Sequence, residues 1–268
     1  MIKDIKITFG WDLCYSCNYR CPYCNGWLRE SKDDIIMTAG EWEKIWNNIY
    51  ERYGSCYIYL SGGEPSTYPY FYELVKRLTQ KHIIDICTNL SWDVEKLIPF
   101  ISSQNLKISA TFHPLFADFD VFFKKIVMIR EYLSNYQVFF VVYNKQIDIL
   151  KKAKEFLKEF DIRLIPQPLR GPNQSIINSE EEKEIVKDQT PYTGDKLAYQ
   201  LKEKIPKGKL CRAGQYYAVI RANGRVDRCS QYTDGQLGNF LEKDFKLFSE
   251  PKVCTLDYCP IESQWIIE

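Results

Sequence analysis

The chain has 268 residues, enough to bury the core of one barrel-sized domain, or of a barrel with a small appendage. Its 45% hydrophobic and 26% charged residues are ordinary for a soluble globular protein, and a formal net charge of +1 argues against a dedicated nucleic-acid binder. The amino terminus has no signal-peptide pattern, and the longest apolar runs, such as 138–143, are too short to cross a bilayer, so a cytoplasmic protein without membrane partner is expected.

In chain order, strands are predicted at Ile5–Leu13, Cys56–Ser61, Ile83–Thr88, Leu106–Phe112, Val138–Tyr143 and Ile162–Pro166, all β-branched and aromatic runs of strand length. Helices are predicted between them. Thr38-Ala-Gly-Glu41 is a capping-box signature for a helix running to about Tyr53, and Asp118–Leu133 and Ile147–Phe160 have helical amphipathic spacing. Strand followed by helix, repeated, implies a parallel sheet covered by helices. Its closure is either a partial (β/α)6 TIM-like barrel or an open doubly wound sheet.

Beyond Gly171 the pattern changes. A charged helix at Ser179–Lys187, a turn at Tyr192–Gly194 and a short helix at Asp195–Lys204 are expected. From Lys207 the chain is rich in glycine, with one short hairpin and four cysteines, too little core to fold without a staple. The boundary is set near residue 205, giving 1–205 as barrel and 206–268 as a small metal-stapled subdomain.

Ten cysteines in a chain without a secretory signal point to metal ligands rather than disulfides. Seven fall into two groups, leaving Cys14, Cys56 and Cys87 outside. The first group, Cys17-Asn-Tyr-Arg-Cys21-Pro-Tyr-Cys24, follows the first strand. Three clustered thiolates can clamp three irons of a cubane and leave the fourth open. A zinc knuckle with Cys14 as fourth ligand is the competing reading. Downstream, Ser61-Gly62-Gly63-Glu64-Pro65 ends the second strand, with glycines that permit close backbone approach and a carboxylate suited to a cationic amino group.

The C-x3-C-x2-C spacing, the aromatic Tyr23 before its last cysteine and the Gly-Gly-Glu motif together resemble the radical S-adenosylmethionine (SAM) superfamily. That resemblance implies a partial barrel and a [4Fe–4S] cluster on Cys17, Cys21 and Cys24, whose open iron chelates SAM. An electron then cleaves SAM to methionine and a 5′-deoxyadenosyl radical, which abstracts a hydrogen atom from substrate. Tyr23, Gly62, Gly63, Glu64 and Pro65 become SAM-binding candidates. Ser109 and Thr111, on one face of the fourth strand, and Asn144, ending the fifth, join them.

His113, Arg170 and Gln167 end strands where substrate would sit, and Thr88-Asn89 ends the third. For His113 a turn-capping role competes with substrate binding or proton transfer, and for Arg170 a surface salt bridge competes with anchoring an anionic group. Cys211, Cys229, Cys254 and Cys259, with Gly224 and Leu237-Gly-Asn between them, resemble the SPASM/twitch extensions that bind auxiliary [4Fe–4S] clusters. Only four cysteines are present, so the shorter twitch version with one cluster fits better, though four residues rather than two separate the last pair. A structural zinc site would also be satisfied by four thiolates.

The resemblance implies two [4Fe–4S] clusters, SAM, and an electron donor such as flavodoxin or ferredoxin as partner. Twitch-bearing relatives include dehydrogenases and epimerases of small molecules, while SPASM and twitch relatives also modify ribosomal peptides. Oxidation passes a second electron to an auxiliary cluster; epimerisation needs a hydrogen donor, for which Cys14 and Cys87, near strand ends, are catalytic candidates. The first strand is expected to open near residue 4, leaving no room for a leader-binding domain ahead of it. This favours a small hydroxylated, sugar- or aminocyclitol-like substrate, with epimerisation or crosslinking of a ribosomally made peptide as the alternative. A non-enzymatic iron–sulfur or zinc-stapled interaction module is a further reading.

Overall fold

The computed structural model describes residues 5–24, 34–97, 99, 104–142, 146–169, 179–189, 194–242, 245–259 and 263–267. Six parallel strands follow one another across the main sheet: β1 (Thr8–Cys14), β2 (Tyr57–Gly62), β3 (Ile83–Thr88), β4 (Leu106–Phe112), β5 (Tyr136–Val142) and β6 (Leu164–Pro168). Each pairs in parallel with the next, which requires crossover connections on one side. The helices among these connections include α1 (Ala39–Tyr53), α2 (Phe71–Leu78), α3 (Phe119–Tyr132) and α4 (Ile147–Lys158). The result is a six-stranded parallel sheet in sequential order, the strand order of the partial barrel that the resemblance implies.

The local signals act as expected at several ends. Thr38 and Glu41 form both halves of the capping box that opens α1. Asp118 caps α3 through Val121 N–H, and Leu133 closes it. Along β1 the odd residues Phe9, Trp11 and Leu13 are buried. Phe9 and Trp11 pack on Trp42 and Trp46 of α1, with Trp11–Trp42 ring centres 4.8 Å apart. The even residues Gly10 and Asp12 therefore face the barrel interior.

After β6 come α5 (Glu180–Gln189) and α6 (Gly194–Gln200). The chain then forms β7 (Leu210–Cys211), β8 (Tyr217–Ile220), β9 (Val226–Asp227), β10 (Lys252–Val253) and β11 (Ile266–Ile267). The expected hairpin is β8–β9, turning at Asn223-Gly224. Its β8 lies parallel to β1, so the main sheet runs β6-β5-β4-β3-β2-β1-β8-β9. Phe240 and Phe245 pack on Phe9, and Phe240 also on Trp46 at 4.8 Å. Residue 205 thus marks a change of chain organisation and no break in the sheet. A separate sheet, β10-β7-β11, carries Cys211. Among the described residues no helix is long and apolar enough to cross a membrane.

Candidate functional site

A register shift between Asp12 and Cys14 ends β1 and redirects the chain into the cysteine loop. The Gly-Gly-Glu segment seizes that loop from the end of β2. Gly63 N–H donates to the Cys14 carbonyl at 2.7 Å, and Glu64 N–H donates to the Ser16 carbonyl at 2.9 Å. A Cβ on Gly62 would overlap the Cys14 carbonyl oxygen, and one on Gly63 the Ser16 carbonyl oxygen. Gly62 also holds φ at 116°, a conformation open to glycine. These glycines have a need beside the one expected: they let two protein loops meet, and the backbone they approach is that of the cysteine loop.

Cys17, Cys21 and Cys24 line one cavity of about 200 Å³ together with Gly62, Gly63 and Glu64. Its other walls are Cys87, Thr88 and Asn89 at the end of β3, and Thr111 and His113 at the end of β4. Strand ends converge here, where parallel barrels place their sites. Burial pushes the Cys17 thiol up and Cys21 up to about 11, and the neighbouring Cys24 and Cys17 add to the rise at Cys21. The three thiols are thus mutual electrostatic neighbours, and loading a cation among them releases protons.

Glu64 is 1% exposed. Its carboxylate accepts from Asn89 N–H at 2.7 Å, the Thr88 hydroxyl at 2.8 Å and Ser66 N–H at 3.2 Å. Burial raises its pKa, and these donors oppose the rise. The Asn89 side chain donates to Asn18, and Asn18 donates to Ser91 at 2.8 Å, tying the cysteine loop to the end of β3. On the other side Tyr23 Oη lies 2.8 Å from His113 Nδ1, with their rings stacked. Burial lowers His113 to about 4, so it is neutral near pH 7.

The sequence candidates divide accordingly. Glu64, Gly62, Gly63, Thr111, His113 and Cys87 line the cavity with the three loop cysteines. Tyr23 touches it through His113. Cys14 does not line it: the thiol is buried under the Glu64–Thr67 turn, 3.7 Å from the Thr67 hydroxyl, and burial pushes it up to about 11. Pro65 is buried in that same turn, and Ser109 is buried on β4 outside the lining. Asn144 and Arg170 lie outside the described residues. Sequence reasoning passed over Asn18 and Tyr19. Their position inside the C-x3-C interval was the available signal, because anything in that loop must face the cavity or brace it.

The second cysteine group also converges. Cys211, Cys229, Cys254 and Cys259 line one small cavity with Arg228, Tyr232 and Tyr258. None of these thiols forms a disulfide. Burial raises Cys211, with the Arg228 charge acting against it. Among the described residues no group of three or more His, Cys, Asp and Glu is arranged around a single metal ion. Three thiols at the first cavity and four thiols from separate segments at the second are donor sets of the kind that hold iron–sulfur clusters.

Residues 12–111, which span the cysteine loop, the Gly-Gly-Glu turn and β4 as far as Thr111, match the family model described as Radical SAM superfamily. Over that segment the chain is similar to the radical SAM superfamily. Over 82 residues it is 33% identical to mycofactocin maturase MftC of Mycobacterium ulcerans, covering 30% of this chain and 21% of that protein. Over 79 residues it is 29% identical to PqqA peptide cyclase of Rhodopseudomonas palustris, covering 30% and 20%. The matched stretch therefore spans about a fifth of these curated relatives. In fold, the chain resembles Streptococcus suis SuiB bound to S-adenosylmethionine, with TM-score 0.63 and 15% identity over 89% of this chain and 62% of that one. It also resembles anSMEcpe with bound AdoMet and Cp18Cys peptide, with TM-score 0.61 and 15% identity over 89% and 78%.

Proposed function

We propose that Cys17, Cys21 and Cys24 hold a [4Fe–4S] cluster that binds SAM, and that the enzyme removes a hydrogen atom from a substrate bound at the strand ends. The observation that carries this reading is the convergence of the three loop thiols, Glu64 and the ends of β3 and β4 on one cavity. Bound there, the cluster and SAM would supply one-electron cleavage of SAM and hydrogen abstraction. The chain's own part is positional. Glu64, pinned by three donors, presents its carboxyl group toward a cationic amino group, and Tyr23 with His113 braces the loop that carries Cys24.

A peptide substrate is favoured over the small hydroxylated molecule expected from sequence. One relative is named a peptide cyclase, and anSMEcpe was solved with a peptide. The cavity's rim agrees: Phe116, 42% exposed, stacks on Tyr19, which lines the cavity, and Leu115 beside it is 48% exposed. An apolar rim suits an amino-acid side chain better than a hydroxyl-rich ring. Between oxidation and epimerisation, the thiol of Cys87 is the discriminating group. It lines the cavity, and burial and Asp85 push it well above its usual range, so it stays a protonated thiol able to give up a hydrogen atom. The four-cysteine site would take the second electron of an oxidation, and a flavodoxin or ferredoxin in the cytoplasm would supply the first.

The test is anaerobic reconstitution with iron and sulfide. About eight irons per chain and SAM-derived 5′-deoxyadenosine are expected. Replacing Cys17, Cys21 and Cys24 together by Ala should leave about four irons and abolish SAM cleavage. Undiminished cleavage by that variant sinks the reading. Turnover in heavy water with candidate peptides then separates the outcomes: solvent deuterium in the product that disappears in Cys87→Ala marks epimerisation, and loss of two hydrogens without label marks oxidation.

A further inference from the structure

The four-cysteine cavity contains a cation that the ligand pattern did not anticipate. Arg228, between β9 and Cys229, is 4% exposed and lines the cavity with all four thiols. Its two Nη atoms donate to the carbonyls of Val253 at 3.2 Å and Lys252 at 3.1 Å, and its guanidinium stands 5.2 Å from the Tyr232 ring centre. Its Nε is buried and has no hydrogen-bond partner. Among the described residues no carboxylate pairs with it. The adjacent Asp227 is engaged by Arg221 and Arg225 instead. A guanidinium cannot shed its proton to escape burial, so an enclosed one without a carboxylate needs another anion.

We propose that Arg228 is the built-in counter-cation of the four-cysteine site, donating from Nε to a sulfur of the iron–sulfur group held there and raising its reduction potential. The inference rests on the reading of this site as an auxiliary cluster. Four thiolates give such a group net negative charge, and hydrogen bonds to sulfur together with net charge set its potential. The carbonyls of β10 hold the guanidinium in place, so the charge needs no reorganisation when an electron arrives. Arg228 is thereby a positioning residue that makes the site a better electron acceptor.

The experiment uses the full chain with Cys17, Cys21 and Cys24 replaced by Ala, so that only the carboxyl-terminal site loads. Redox titration followed by electron paramagnetic resonance is compared among this parent, Arg228→Met and Arg228→Lys. Arg228→Met should shift the reduction equilibrium at least tenfold toward the oxidised form, which is about 59 mV for one electron. Arg228→Lys keeps the charge, loses the Nε bond and should fall between. If Arg228→Met takes up no iron while Arg228→Lys loads fully, the need for charge is supported. An unchanged potential in a fully loaded Arg228→Met, or failure of both variants to load, overturns the proposal and leaves Arg228 a brace for β10. Zinc or no metal in the parent overturns the auxiliary-cluster reading itself, a result distinguishable because it precedes any substitution.

Discussion

Gly63 shows how a short motif can carry a constraint beside the one its pattern suggests. Gly-Gly-Glu was legible as a ligand-binding turn, yet what forbids a side chain at 62 and 63 is the carbonyl backbone of Cys14 and Ser16. Gly63→Ala must push the two loops apart and strain the Gly63–Cys14 and Glu64–Ser16 hydrogen bonds, worth about 1 kcal/mol each. The barrel should stay folded, because its core lies behind the sheet. The expected result is loss of iron from the first site alone and at least a tenfold weaker SAM affinity, read by iron analysis and equilibrium dialysis. Gly40→Ala is the control: nothing lies within 4 Å of the added Cβ, on a helix where Ala is preferred. Full iron retention by Gly63→Ala would show that the contact between loops is dispensable.

At the scale of elements the sequence was most readable where one physical signal dominates. The strands β3 and β4 match their predicted bounds, because turn residues bracket each apolar run. Where apolar flanks continue, the ends drifted: β1 begins at Thr8 rather than Ile5, and β6 runs Leu164–Pro168 rather than Ile162–Pro166. Helix α2 went unnamed although Phe71, Leu74, Val75 and Leu78 are buried at helical spacing; Tyr70 offers no side-chain cap to announce it. The pairing of β8 with β1 was out of reach, since four apolar residues do not say which edge they join.

His82, between α2 and β3, was likewise invisible in pattern. It is 1% exposed, and its Nδ1 accepts from Cys56 N–H at 3.1 Å, which fixes the neutral ring. Burial lowers it to about 4 against an unfolded value of 6.5. The unfolded chain therefore binds the extra proton first, so stability is intact above pH 6.5 and falls as pH drops from 6.5 toward 4. Denaturant unfolding between pH 6.5 and 5 should show a loss on the order of 2 kcal/mol that His82→Gln lacks. Equal slopes in the two proteins would exclude His82 as the source.

At the scale of the whole molecule, one buried arginine ties the barrel to the carboxyl-terminal segment. Arg221, 4% exposed after β8, donates from Nε to Asp227 at 2.7 Å and from Nη1 to Asp12 of β1 at 3.4 Å. Its Nη2 reaches the carbonyls of Ser230 and Tyr232, in the loop just after Cys229. Asp227 is fully buried, and Asp12 also accepts from the Tyr15 and Ser61 hydroxyls near the first cysteine loop. The same side chain therefore touches the supports of both cysteine sites. Arg221→Met removes the shorter, buried partner of Asp227, leaving it Arg225 at 3.2 Å and Gly235 N–H at 2.8 Å, and should cost about 3 kcal/mol. Because β8 is part of the main sheet and Phe240 and Phe245 share its core, thermal unfolding should remain one transition, displaced downward. If the two proposed clusters are present, iron at the second site should fall while iron at the first persists, since Gly63 and Glu64 still hold that loop. Arg225→Met is the comparison. Its side chain is 39% exposed and shares Asp227 at 3.2 Å, so about 1 kcal/mol or less is expected. Equal costs for the two variants would remove Arg221 as the tie. A second, separate unfolding transition in the parent chain would remove the shared core.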